Sequence, residues 1–135
     1  ILRIKLRHLD AYGAARQAAA AHYYAAFAGM EHVRTPQRSG DSTHVFHQYT
    51  LRITGGHRDA LKAHLEQNGV PAMVYYPVPL HLQKAYEGYG IRRGDLPVTE
   101  MLMDEVLSLP MSTELDKEQL DHITSAVKAF FKNNQ

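Results

Sequence analysis

The chain has 135 residues, enough for one ordinary hydrophobic core and too few for a second domain of usual size. Fifteen Lys and Arg stand against fourteen Asp and Glu, so the net charge of +1 gives no field that argues for nucleic acid or an anionic membrane. The absence of cysteine removes disulfides and thiolate zinc sites and fits a reducing, cytoplasmic setting, and no apolar run approaches the roughly 20 residues that span a bilayer.

Leu2, Leu6, Leu9, Gly13, Arg16, Ala20, Tyr23 and Phe27 alternate spacings of four and three, which predicts one helix over residues 1 to about 28 with an apolar seam. Such a helix is on the order of 40 Å long, more than a domain of this size needs, so it is expected to reach beyond its own domain. Ile1 stands inside the helical pattern, with neither Met nor a signal-peptide layout before it, and the chain reads as cut from something longer. Gly29 is expected to end the helix, and residues 35–42 read as an exposed loop.

Residues 44–53 alternate Val45, His47, Tyr49, Leu51 and Ile53 against more polar neighbours, which predicts a strand with one buried face. After the turn at Gly55-Gly56, a helix is expected over residues 58–68, burying Leu61 and Leu65 and closed by a left-handed Gly69. Residues 70–75 read as a second strand, ended by Pro77 and Pro79, neither of which can donate to a ladder. Asp95 is the expected N-cap of a helix that runs to about Val106 and buries Val98, Leu102 and Val106. Residues 107–111 read as a brief strand, and Asp116 with Gln119 forms a capping-box pattern before a last helix burying Leu120, Ile123, Val127 and Phe130. The fold class is therefore α/β or α+β: a small antiparallel or mixed sheet covered by helices.

The chemistry in this pattern is sparse. Nine histidines suggest metal, but His44 and His47 would point to opposite faces of a strand with no acidic partner near, and His64 and His122 read as surface residues. There is no phosphate loop, nucleophile elbow or HExxH motif. Arg92 and Arg93 could face an anion, although a charged turn before a helix explains them equally, and Asp104 and Glu105 diverge on a helix instead of pairing. The segment from Tyr75 to Gln83 stands apart, because Pro77 and Pro79 present two phenols, His81 and Gln83 with little entropy left to lose. Phenols and imidazole can stack on a ring and bond its substituents. The bland alternative is an aromatic and proline plug that packs on a neighbour.

Several stretches then agree in order and spacing: His47 to Ile53, Arg58 to Leu65, Gly69-Val70-Pro71, Tyr75 to Gln83, Asp95 to Glu100, and Val106 to Met111. Together they resemble the DegT/StrS-type nucleotide-sugar aminotransferases. The resemblance implies the C-terminal small domain of a fold-type-I enzyme over residues 29–135, with residues 1–28 a long helix leading from a large N-terminal domain. It implies pyridoxal phosphate as cofactor, glutamate as amino donor, a keto-sugar nucleotide as acceptor and a homodimer. A 3-keto acetamido sugar for surface polysaccharide is the nearest subgroup.

The same resemblance places the catalytic lysine and the cofactor ligands upstream, since none of Lys5, Lys62, Lys84, Lys117, Lys128 and Lys132 matches the family's lysine context. This chain is expected to supply no catalytic, cofactor-binding or metal residue, and to be inactive alone. Tyr75, Tyr76, His81 and Gln83 are its expected substrate-binding residues. Tyr75 stands where family members often carry His, and a phenol cannot hold positive charge near neutral pH. The competing reading is a free-standing, non-catalytic α/β binding module.

Overall fold

The computed structural model describes residues 2–133. The first helical rod comprises α1 (Leu2–Lys5), a 3₁₀ turn (Leu6–His8) and α2 (Leu9–Phe27). Strand β1 (Val33–Arg34) and strand β2 (Tyr49–Ile53) precede α3 (Arg58–Gln67). Two further 3₁₀ turns, Leu80–Leu82 and Lys84–Tyr89, lead to α4 (Pro97–Glu105), strand β3 (Val106–Leu109) and α5 (Lys117–Asn133). The three strands form an antiparallel sheet in the order β1-β2-β3, with Tyr49 opposite Leu109 and Arg52 opposite Val106. A small sheet under helices is the architecture expected from the sequence.

The core lies on one face of that sheet. Tyr49, Leu51 and Ile53 are fully buried, together with Tyr23 and Phe27 of α2, Leu61 and Leu65 of α3, and Val127 of α5. Tyr23 and Tyr49 pack with their rings tilted by 45° and 4.9 Å between centroids, which fastens α2 to the central strand. On the opposite face Thr50 and Ser108, a cross-strand pair, hydrogen-bond through their hydroxyls at 2.8 Å. Arg52 reaches from that face to Glu105 at the end of α4, with Nε and Nη2 at 2.9 and 2.8 Å from one carboxylate oxygen.

Local rules explain where these elements stop. Gly29 and Gly69 take φ of 76° and 73°, the left-handed region a helix end requires. The capping box of α5 forms in both directions: Gln119 N–H donates to Asp116 at 2.8 Å, and Asp116 N–H to the Gln119 side chain at 3.1 Å. The Leu61 and Leu65 face of α3 and the Leu120, Ile123, Val127 and Phe130 face of α5 are buried as their spacing predicts.

Five expectations are corrected. The predicted strand over 44–53 exists only from Tyr49, because β3 ends at Leu109, just before Pro110, and leaves nothing to pair with earlier residues. Phe46 instead turns inward with φ 49° and is 1% exposed. Burying a Phe side chain, about 1.5–3 kcal/mol, offsets a backbone strain of about 1–3 kcal/mol. The strand predicted over 70–75 shrinks to one bridge, Met73 with Ser108. Asp95 does not cap α4; its carboxylate accepts the Arg92 N–H at 2.7 Å, and Leu96 holds the cap position without a side-chain bond. Val98 is 64% exposed, since α4 covers only the small polar face of the sheet. The predicted single helix is interrupted by a 3₁₀ turn at Leu6–His8, and Leu2, Leu6 and Leu9 of its seam are exposed. The short β1, two residues long, has no sequence pattern of its own.

Candidate functional site

An apolar cleft of about 780 Å³ lies between the Tyr76 to Ile91 stretch and the outer side of α4. Its size falls within the range of small-molecule sites. One wall carries Tyr76, Val78, Leu80, Tyr86 and Tyr89; the other carries Leu96, Thr99, Leu102 and Met103, with Val106 of β3 at the base. Among its lining residues, Tyr76, His81, Gln83, Tyr86, Tyr89 and Thr99 carry polar groups.

The proline-rich wall is held by its own bonds. Leu82 N–H and Gln83 N–H donate to the carbonyls of Pro79 and Leu80, at 3.0 and 3.1 Å, and Tyr86 N–H donates to Gln83 at 2.9 Å. The Gln83 side chain closes the loop by donating to the Val78 carbonyl at 2.9 Å. Tyr76, directly before Pro77, has φ 55° and is 86% exposed. A residue before proline favours extended backbone, so this position stores about 1–3 kcal/mol of strain while holding a phenol out in the open. Tyr75, Val78 and Leu80 of the same segment are exposed as well.

Of the four residues singled out from sequence, Tyr76, His81 and Gln83 line the cleft, and Tyr75 lies beside it outside the lining. Their roles differ in kind. His81 is nearly buried, and its Nε2 donates to Glu100 Oε1 at 3.1 Å. The same oxygen accepts the Gly94 N–H at 2.7 Å. The Gly94 amide first and the His81 bond second hold the Glu100 carboxyl below its ordinary value, which keeps it ionised. Glu100 lies behind the cleft lining, and the sequence pattern does not single it out; its signal is a carboxylate in the first turn of a helix, where backbone N–H groups gather. The wall formed by α4 is anchored from behind by Arg58 of α3, which donates to the carbonyls of Met103 and Val106 at 3.1 and 3.4 Å. Arg92 and Arg93 are exposed on the turn before α4.

The histidines form no centre of their own. His44 Nδ1 accepts the Phe46 N–H at 2.9 Å, His122 bonds the Asn68 carbonyl, and His64 packs on the Phe130 ring. Among the described residues no three His, Cys, Asp or Glu side chains gather where they could hold a metal ion.

The DegT/DnrJ/EryC1/StrS aminotransferase family model matches residues 1–128. The chain belongs to this family. It is 38% identical to the erythromycin biosynthesis sensory transduction protein EryC1 of Saccharopolyspora erythraea, over 96% of this chain and 35% of that protein. It is also 38% identical to the dTDP-3-amino-3,4,6-trideoxy-α-D-glucose transaminase of Streptomyces venezuelae, over 95% of this chain and 33% of that one. The crystal structure of S. venezuelae DesV superposes with a TM-score of 0.90 at 37% identity, covering 96% of this chain and 34% of its own. The chain thus spans about a third of the length of the DegT-family proteins it matches. No described helix is long and apolar enough to cross a membrane.

Proposed function

We propose that this chain is the C-terminal small domain of a pyridoxal-phosphate-dependent enzyme that moves an amino group, from glutamate, to a keto sugar carried on a nucleotide diphosphate. Residues 1–28 then lead from a large domain, and the enzyme works in the cytoplasm as a homodimer. The observation that carries the reading is the match of nearly the whole chain to a family whose relatives include a transaminase named for a dTDP-linked 3-amino sugar and an aminotransferase named for a UDP-linked 3-dehydro sugar. The cleft supports it. An apolar, tyrosine-walled space suits the rings of a nucleotide sugar, and a few polar groups can fix its orientation.

The cofactor itself does not fit the residues present. Lys5, Lys84, Lys117, Lys128 and Lys132 are exposed, Lys62 pairs with Glu66 on the surface of α3, and none of them lines the cleft. Covalent attachment of pyridoxal phosphate therefore falls to residues outside this chain. What this chain contributes is a substrate wall. Tyr76 offers a hydroxyl in the open; His81, whose Nε2 is bonded to Glu100, and Gln83, whose Nε2 is bonded to the Val78 carbonyl, shape the wall; Tyr75 flanks it where a histidine would carry charge.

The test uses the full-length protein. With pyridoxal phosphate bound, it should show the visible absorption of the held cofactor and convert dTDP- or UDP-linked 3-amino sugars to keto sugars with 2-oxoglutarate as acceptor. Absence of both the absorption and the conversion would remove the reading.

A further inference from the structure

We propose that Glu100 is the positioning residue that sets the distance between the Tyr76 wall and the turn before α4, and thereby the affinity for the sugar nucleotide. The inference rests on the reading that Tyr76 borders that substrate. It goes beyond that reading by naming a residue that the substrate need not touch.

Three neighbouring segments meet at Glu100. The wall from residue 78 to 83 is closed on itself by Gln83 and by 3₁₀ bonds, and it makes no strand pairing. The turn at 92–95 is likewise local, held by the Asp95 carboxylate and backbone bonds to the Arg92 amide and carbonyl. Helix α4 begins without a side-chain cap. A single atom, Glu100 Oε1, receives one hydrogen bond from each of the first two segments and sits on the third.

Burial makes this junction selective. The His81 side chain is 5% exposed and that of Glu100 13%, so water competes poorly for either group. A carboxylate accepting an amide N–H and an imidazole N–H forms bonds stronger than neutral ones. Removing it would leave a nearly buried imidazole and an amide in search of partners, and the two loops would part. The cleft between the Tyr76 to Ile91 stretch and α4 would then widen, because the His81 bond to Glu100 ties its two walls together. The rest of the fold would be spared, because the core lies on the other face of the sheet.

Two measurements on the full-length, cofactor-loaded protein test this. In the first, hydrogen exchange without any sugar nucleotide should be faster by about tenfold across residues 78–95 in Glu100→Ala, with α2 and α5 unchanged. In the second, the KM for dTDP-3-amino-3,4,6-trideoxy-α-D-glucose, or for a UDP-linked 3-amino-N-acetylglucosamine, should rise about tenfold while the KM for 2-oxoglutarate stays within a factor of two. Glu100→Gln keeps an oxygen that can accept both bonds and should recover most of the lost affinity. Glu100→Asp, shorter by one methylene, reports in the same way should the alanine variant not fold. Unchanged exchange across 78–95 overturns the proposal, as does an equal rise in both KM values or a glutamine variant as impaired as alanine. Should neither sugar react with the parent enzyme, the proposed function is the part that has failed, and the exchange measurement still decides the role of Glu100.

Discussion

Three tyrosines show how one side chain serves different ends in this chain. Tyr23 and Tyr49 are both fully buried, and burial is the main reason their phenols titrate well above the usual range. Yet Tyr23 donates to the Pro110 carbonyl at 2.8 Å, whereas the Tyr49 hydroxyl has no hydrogen-bond partner among the described residues. Tyr23→Phe should therefore cost about 1 kcal/mol, and Tyr49→Phe should cost less or even stabilise, since it removes an unpaired buried polar group. Urea unfolding of both variants compares them directly; equal losses would show that the Tyr49 hydroxyl has found a partner such as a buried water. Tyr76 is the opposite case, open and strained. In the complete enzyme Tyr76→Phe should raise the sugar-nucleotide KM about fivefold, the equivalent of one hydrogen bond of about 1 kcal/mol, and leave cofactor retention unchanged. Unaltered sugar kinetics would take Tyr76 out of the substrate wall. At this scale the sequence showed which residues were unusual but not which atoms were already engaged. Nothing in the order of residues says that Gln83 bonds Val78 or that His81 is spent on Glu100.

The secondary elements were legible where their rule is local. Helices α3 and α5 follow from apolar spacing, from left-handed glycine after α3 and from the capping box before α5, all written within a few residues. Strands were less legible because a strand needs a partner. Residues 44–48 alternate well enough, but β3 is four residues long, and Phe46 gains more by entering the core against Tyr24 and Tyr49. The capping box of α5 offers a clean measurement, since Asp116 is exposed and its bond is the one clear start signal of a helix that packs on both α2 and α3. Asp116→Ala should lower the unfolding free energy by about 1 kcal/mol, and Asp116→Ser or Asp116→Asn should recover most of it. If alanine, serine and asparagine were equally destabilising, charge and not capping would be the cause.

At the scale of the whole molecule the surface is unbalanced. Leu2, Leu6 and Leu9 are 77, 64 and 58% exposed, and with Tyr12 and Val45 they border a second depression of about 940 Å³ at the far end of the long rod. Their regular spacing made the seam legible, but a spacing tells only that a face wants burial and not whether this chain provides the cover. The described residues do not, whereas further along the same rod Ala19, Ala20, Tyr23 and Phe27 are enclosed. Contiguous apolar surface of this kind marks an interface, and the matching DegT-family proteins are about three times as long as this chain. Produced alone, residues 1–135 should associate in a concentration-dependent way that light scattering detects at tens of micromolar. Leu6→Lys with Leu9→Lys, placed where no core contact is lost, should shift the chain toward monomer without lowering its unfolding free energy by more than about 0.5 kcal/mol. A parent chain that stays monomeric at that concentration would mean that the seam is covered from within and would favour the free-standing module over a domain built to be joined.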